Sequence, residues 1–436
     1  MLKKNLLATG ISLAMALTLS CSDNNLSDSN SAAAENIFTE QEAKIFRIVQ
    51  SANNRIDMEE AMMQVQGAIA FLDREQPSEL GPRRVESVSV LFFGDTKHSV
   101  LESGEYSDIG ISDTLAYIFN FNDSLGYVIV SYDVRVDSPL FAFTKKGRLV
   151  NRETNNPGLA IFLERLEGHV LESIIETERE KETMLDVVLG KFALESESDK
   201  QKLRVLARGS IPPLTSMIER FVPVEWGQEW PFWLNLNAPQ CPSGYYVTGC
   251  VATAVAQIMA YWKHPGTPAN FFAVWQFLNK SKKKQDFEPS PTDTPKELAI
   301  KNAMASNVAS LFQQIGAGVN MSYGCDESET FTATALSFLI SRGFTTNGLI
   351  DYNPNILVYL AWGPVITSGC DISNKVCHAW VIDGVSADAT KPKPTSLYMH
   401  SNWGWDGWDN GYFKSGVFDP DAYNFQNIQF AGLRVL

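Results

Sequence analysis

Tryptophan is missing from the first half of this 436-residue chain: all ten stand at Trp226 or later. Cysteine is nearly missing from it too, since of six in all only Cys21 precedes Cys241. Past its first residues that half also lacks a paired histidine and a glycine-rich phosphate loop, so it shows no chemistry of its own. Basic residues are outnumbered, 36 against 50 acidic, and the net charge of -14 argues against nucleic acid as a partner. The one dense basic run, Lys280-Ser-Lys-Lys-Lys284, is followed by the proline-rich Pro289 to Pro295 and reads as an exposed loop with solvated charges. No internal repeat is present. What is there is the composition of a globular protein, 44% apolar and 20% charged, at a length that implies two or three domains.

The chain opens with Lys3 and Lys4, an apolar run from Leu6 to Leu19, and Ser20-Cys21. A charged start, a short apolar core and a small residue before the break make a secretory signal, too short for a stable membrane span. With the cysteine at the break it resembles a bacterial lipoprotein signal, which implies a signal peptide over 1–20, a lipidated Cys21 and a flexible tether over 21–36. Cleavage without lipid is the alternative. The expected location is outside the cytoplasm, anchored by lipid in a bacterial outer membrane, at the cell surface, or released after processing.

Sixteen of the twenty prolines fall after residue 210, so the change in composition marks two units of different construction. Between them, Leu194 to Pro213 runs from polar through basic to a Pro pair and has the makings of an exposed linker. The first unit reads as α+β. Glu40–Val49, Met58–Leu72 and Pro157–Thr177 carry helical spacing, and Ser87–Phe93, Thr114–Phe121 and Tyr127–Tyr132 read as strands.

In the second unit, Gly249-Cys250 opens an amphipathic helix whose apolar face includes Val251, Val255, Ile258, Met259 and Trp262. A thiol at a helix N-terminus meets unpaired amide donors and the positive dipole end, which favour its thiolate. A nucleophile needs a base, and the five histidines make the search short. His98 and His169 look incidental, and His264 fits a helix cap. His378 begins a buried-strand pattern, His378-Ala-Trp-Val-Ile-Asp-Gly384, where a rigid scaffold would hold a base. His400 stands close to Asn402. Upstream, Gln228 in Trp226-Gly-Gln-Glu-Trp230 offers an amide donor for an oxyanion. Asn402-Trp403 offers an acceptor for an imidazole N–H and an indole to exclude water.

The order Gln228, Cys250, His378, Asn402-Trp403 resembles the papain-like cysteine peptidases, and the wording around each resembles the streptopain family. Tyr117–Asn122, Gly126–Asp133 and the helix from Phe162 to Ile175 are similar to that family's inhibitory propeptide. The resemblance implies an α+β fold. An α+β propeptide domain over 37–208 precedes a papain-like domain over 209–436, whose helical part carries the nucleophile and whose antiparallel part carries the histidine. It also implies a secreted or cell-surface cysteine endopeptidase, made as a zymogen, that acts on proteins or peptides and is inhibited by its own propeptide. Cys250 would attack, His378 would protonate the leaving amine, and Gln228 with the Cys250 amide would bind the oxyanion. Asn402 and Trp403 would orient and shield His378.

Cys377 departs from the family, which often has glycine before the histidine. Cys241, Cys325, Cys370 and Cys377 allow two disulfides, with Cys370–Cys377 closing the loop before His378, or free thiols. Their spacing does not fit zinc, and no metal or cofactor is expected. The linker suggests activation by a cut after Arg208. Two other functions fit the same residues: an amidohydrolase or acyltransferase on cell-wall peptides, and a surface binding module without catalysis.

Overall fold

The apolar runs of the first half become an antiparallel meander. β1 (Val85–Phe92), β2 (Thr114–Phe121), β3 (Tyr127–Ser131) and β4 (Leu140–Thr144) pair in that order. The computed structural model describes residues 38–51, 53–94, 109–207, 211–266, 269–371, 373–389, 397–418 and 428–435. The expected signal peptide, Cys21 with its tether, His98 and Arg208 lie outside the described residues.

Two helices precede the meander, α1 (Glu40–Gln50) and α2 (Met58–Glu75), and Asp57 caps the second by accepting from the Glu60 N–H. After the meander comes α3 (Pro157–Leu194), 38 residues long. Asn156 starts it by accepting from the N–H groups of Gly158 (3.1 Å) and Leu159 (3.3 Å), and Pro157 sits at the first turn, where its missing N–H costs nothing. The helix does not end near Thr177 as the apolar spacing suggests. Its second half packs against α1, with Phe192 and Phe46 4.7 Å apart. The expected linker is also helical in part: α4 (Glu197–Ala207) buries only Leu203 and leans on α1.

The second half has a helical side and a sheet side. The helices are α5 (Cys250–Trp262), α6 (Ala269–Phe277), α7 (Pro295–Gly318) and α8 (Thr332–Ser341). The strands are β5 (Leu214–Ile218), β6 (Phe344–Thr346), β7 (Ile350–Asp351), β8 (Val365–Cys370), β9 (Cys377–Asp388), β10 (Leu397–Asn402), β11 (Gly411–Lys414) and β12 (Gln429–Val435). All pair antiparallel, and β4 of the first half pairs with β11, so one sheet runs β1-β2-β3-β4-β11-β10-β9-β8-β12-β6 through both halves.

That sheet separates two cores. Strand side chains alternate between faces, so Ala379 and Val381 of β9 join the core around α5, α7 and α8, while Trp380 and Ile382 join the core filled by Leu159, Phe162, Leu166 and Val170 of α3. The expected α+β arrangement is present, with helices around Cys250 and antiparallel strands around His378. The pleat has a consequence for the site: the ring of His378 belongs to the α3 face.

Candidate active site

Cys250 is the first residue of α5, held there by a backbone only glycine can adopt. Gly249 has φ 86°, and a Cβ on it would stand 2.7 Å from the Ser328 carbonyl oxygen and 2.9 Å from the Met321 side chain. The Gly249 carbonyl accepts from the Thr253 N–H (3.1 Å) and hydroxyl (3.0 Å), which fixes the first turn. Cys250 is half-buried and is the one free cysteine among the described residues. Burial pushes its thiol above the ordinary range, against the amides of Ala379, Val251 and Cys250 that pull the other way. The helix dipole was expected to leave a thiolate; desolvation outweighs it in this state.

Ala379 is the neighbour of His378, so the main chain of β9 touches the sulfur while the imidazole points elsewhere. The His378 Nε2 lies 2.8 Å from the Trp403 carbonyl oxygen. A carbonyl only accepts, so Nε2 carries the proton. The ring is parallel to Trp380 (6.3 Å, 10°), and burial lowers its pKa to about 4. It is therefore neutral. Among the described residues no hydrogen bond or ion pair joins Cys250 to His378. The two expected partners are neighbours through the backbone and unpaired through their side chains.

The start of α3 packs directly against the ring. An ideal Cβ on Gly158 would sit 2.9 Å from His378 Cδ2 and 2.2 Å from Trp403 Cε3. No larger residue fits there, and none of the imidazole's exposed face is left: His378 is 3% exposed.

The other expected residues divide. Gln228 is half-buried in the turn before α5; its carbonyl accepts from the Thr248 N–H (3.0 Å), two residues from the cysteine. Trp403 is fully buried, its indole donating to the Asp409 carbonyl (3.0 Å) and its ring 6.5 Å from His378. Asn402 does not reach the imidazole. Its Oδ1 accepts from Gln257 (3.1 Å), Asn410 (3.0 Å) and the Gly404 N–H (3.4 Å), and its amide donates to the Val224 carbonyl (2.9 Å). In this state it ties α5 to β10, and the Trp403 carbonyl takes the ring. His400 is paired with Asp383 (2.5 Å) in full burial, and His264 meets the Arg342 carbonyl (2.6 Å) at the end of α8. Sequence reasoning passed over Gln257, although a glutamine inside Val255-Ala-Gln-Ile-Met259, two turns along from Cys250, is the mark of a buried polar node.

Residues 226–413 match the model of the Peptidase C10 family. This part of the chain is similar to that family. Residues 94–170 match a second model, the Spi protease inhibitor. The chain is 24% identical over 387 residues to streptopain of Streptococcus pyogenes, covering 81% of this chain and 84% of that one. It is 25% identical over 330 residues to the thiol protease/hemagglutinin PrtT of Porphyromonas gingivalis, covering 71% of this chain but only 35% of that protein. Among solved structures it resembles a fragment of Prevotella intermedia prointerpain A (17% identical, 80% of this chain and 100% of that, TM-score 0.46). It also resembles active wild-type Prevotella intermedia interpain A cysteine protease (21%, 49% and 93%, TM-score 0.36).

The inhibitor half grips the loop Trp403–Asn410 of the peptidase half from several sides. The Asn410 carbonyl accepts from the Lys145 N–H (3.3 Å), and the Asp409 N–H donates to the Lys146 carbonyl (3.1 Å), extending the β4–β11 pairing. Lys146 stands 4.6 Å over the Trp408 ring. Lys145 pairs with Glu225, which also holds Arg220 (3.0 Å); these cations keep the Glu225 carboxyl down at about 2. Asn156, the cap of α3, donates to Asp409 (3.4 Å), and burial pushes that carboxyl up to about 6.

The four remaining described cysteines are paired, Cys241–Cys325 and Cys370–Cys377, the second closing the loop before His378; of the two alternatives left open by the sequence, disulfides and free thiols, the structure has the disulfides.

Proposed function

We propose that this chain is a cysteine endopeptidase made as an inactive precursor, with residues 37–208 as inhibitory propeptide and 209–436 as the peptidase. The observation that supports this best is the placement of Gly158. The first turn of the inhibitor helix fills the space a turning imidazole would need, one residue along β9 from the amide that touches the Cys250 sulfur. Withdrawal of that helix frees His378 to meet the thiol. Once wetted and paired, the ring regains basicity, the thiol gives up its proton to it, and a thiolate–imidazolium pair results. Cys250 Sγ then attacks a peptide carbonyl. The Cys250 N–H and the Gln228 amide stabilise the tetrahedral oxygen, each donor worth on the order of 3 kcal/mol in the barrier. His378 protonates the leaving amine and then activates the water that opens the thioester. Trp403 shields the ring, and Asn402 keeps α5 and β10 in register.

The precursor is exported and anchored through Cys21, then cut after Arg208. Among the described residues no helix is long and apolar enough to cross a membrane. Incorporation of labelled palmitate that disappears in Cys21→Ser tests the anchor, and N-terminal sequencing of the processed form tests the cut.

The decisive experiment compares wild type with Cys250→Ala in a processing time course and in casein hydrolysis. Both activities are expected to vanish in the variant. Hydrolysis that survives the substitution would overturn the assignment.

A further inference from the structure

The two disulfides close very different loops. Cys241–Cys325 spans 84 residues, Cys370–Cys377 only 7. Loop-closure arguments give the long loop the larger effect on global stability and the short one the smaller. The short crosslink occupies the last pair of the β8–β9 ladder, Cys370 opposite Cys377, and the next pair inward is Gly369 opposite His378. Beyond it the hairpin tip is held by Asp371, whose Oδ1 accepts from the N–H groups of Lys375 (2.7 Å) and Val376 (3.1 Å). Those bonds are exposed and individually weak. One further tie reaches the tip from the inhibitor half: Arg165 of α3 donates to the Cys370 carbonyl (3.1 Å). That tie leaves with α3, at the moment when Gly158 also uncovers the imidazole.

We infer that the Cys370–Cys377 disulfide is a positioning element for His378, keeping the end of β9 in register once the inhibitor half has gone. The inference rests on the peptidase function proposed above. It makes the enzyme dependent on a window of reducing power, because Cys250 works as a thiol while the crosslink works as a disulfide. Cys377 is exposed, whereas Cys241 is buried and its partner Cys325 only half-exposed, so the short crosslink is the more accessible of the two to a dithiol. One thiolate of the dithiol attacks a sulfur of the pair and the other Cys leaves as thiolate. The second thiol of the reagent then resolves the mixed disulfide, giving two protein thiols and the cyclic oxidised reagent.

The test uses the full chain carrying Cys370→Ser and Cys377→Ser together, activated as for wild type. Because the role is geometric, kcat is expected to fall about 10- to 100-fold. KM should stay within about twofold, as for a group acting on the transition state alone, and Tm should fall by only several degrees, as the loss of so short a loop implies. Alkylation of Cys250 by iodoacetamide at neutral pH should slow in parallel, since a misplaced imidazole no longer supports the thiolate. Unchanged kcat and unchanged alkylation in the variant would overturn the inference. If the variant does not fold, wild-type enzyme titrated with dithiothreitol decides: activity should fall as mass spectrometry counts the opened pair, and activity that stays level overturns the idea. A wild-type protein that hydrolyses nothing instead indicts the peptidase function itself.

Discussion

The two halves share one sheet yet are held together by different means. Within the inhibitor half, the described residues contain no cysteine, and its buried polar groups include a charged network. Arg135 is fully buried and binds Asp133 through Nε (2.9 Å) and Nη2 (2.6 Å) and Glu178 through Nη1 (2.9 Å). The peptidase half has both disulfides, and the polar node beside its site is neutral, built from Gln257, Asn402 and Asn410. A domain that is discarded after activation needs only reversible ties. One that works afterwards, without a covering helix, gains from crosslinks and from amides whose bonding is insensitive to pH.

The sharpest way to break this comparison is inside the inhibitor half. Arg135→Met strands Asp133 and leaves Glu178 with Lys181 alone (2.7 Å), and removing one partner of a buried pair costs about 3–5 kcal/mol. Urea unfolding should show the inhibitor half losing cooperativity first, followed by early processing. A variant as stable as wild type would mean that the ion pairs there are ornamental.

Next in size is the contact between the halves. Gly158→Ala puts a methyl group into Trp403, and overpacking of this kind costs about 1–3 kcal/mol. That corresponds to roughly 10- to 100-fold weaker docking, at 1.4 kcal/mol per decade. Self-processing in the full chain should accelerate accordingly, with the activated peptidase unchanged because residue 158 is not part of it. Processing at the wild-type rate would show that α3 does not govern His378.

Much of this was legible in the sequence, and the failures have a common cause. β2 spans Thr114–Phe121 as its apolar run indicates, and α5 begins at Cys250 because a glycine and an apolar face mark its start. These are local signals. β4 was missed because Leu140–Thr144 is a short apolar run whose meaning depends on β11, some 270 residues away. α3 outruns its apolar spacing because α1 and α4 cover its far end. The candidate site shows the same split. Residue types and order pointed to Cys250 and His378, but how the imidazole is covered depends on the helix packed against that face of β9. A buried amide such as Asn402 says nothing locally about which of several partners it will take. Its orientation was legible only once Gln257 and Asn410 were placed beside it.

The smallest effect concerns pH. Asp409 is enclosed by the inhibitor half, with Asn156 donating to its carboxylate, Tyr127 close by and Gly147 Cα so near that a Cβ would stand 2.5 Å from Oδ1. Docked, its pKa is raised to about 6 from an ordinary 3.8; released, it faces water. A carboxyl whose pKa is raised by docking favours the docked state fully below the ordinary value, and that favour is lost as pH rises through the docked one. The share of the inhibition carried by Asp409 should therefore weaken between about pH 4 and pH 6 and level off above, by at most roughly 100-fold at 1.36 kcal/mol per unit. One neighbouring group works against it across that window: His378, at about 4 when covered, returns toward its ordinary 6.5 once released, so its share of the inhibition strengthens as pH rises. Lys145, lowered to about 8, stays protonated across it, and Glu225, at about 2, stays ionised. Asp406, also at about 6, is raised by burial and pulled down in part by Lys146 of the inhibitor half, whose amine donates to its carbonyl (3.2 Å), so undocking shifts it too. Asp409→Asn keeps the acceptor for Asn156 and removes the titration. The ratio of wild-type to variant processing rates should then rise from pH 4 to 6 and level off by pH 7; a ratio that stays flat would place the pH sensor elsewhere in the contact between the halves.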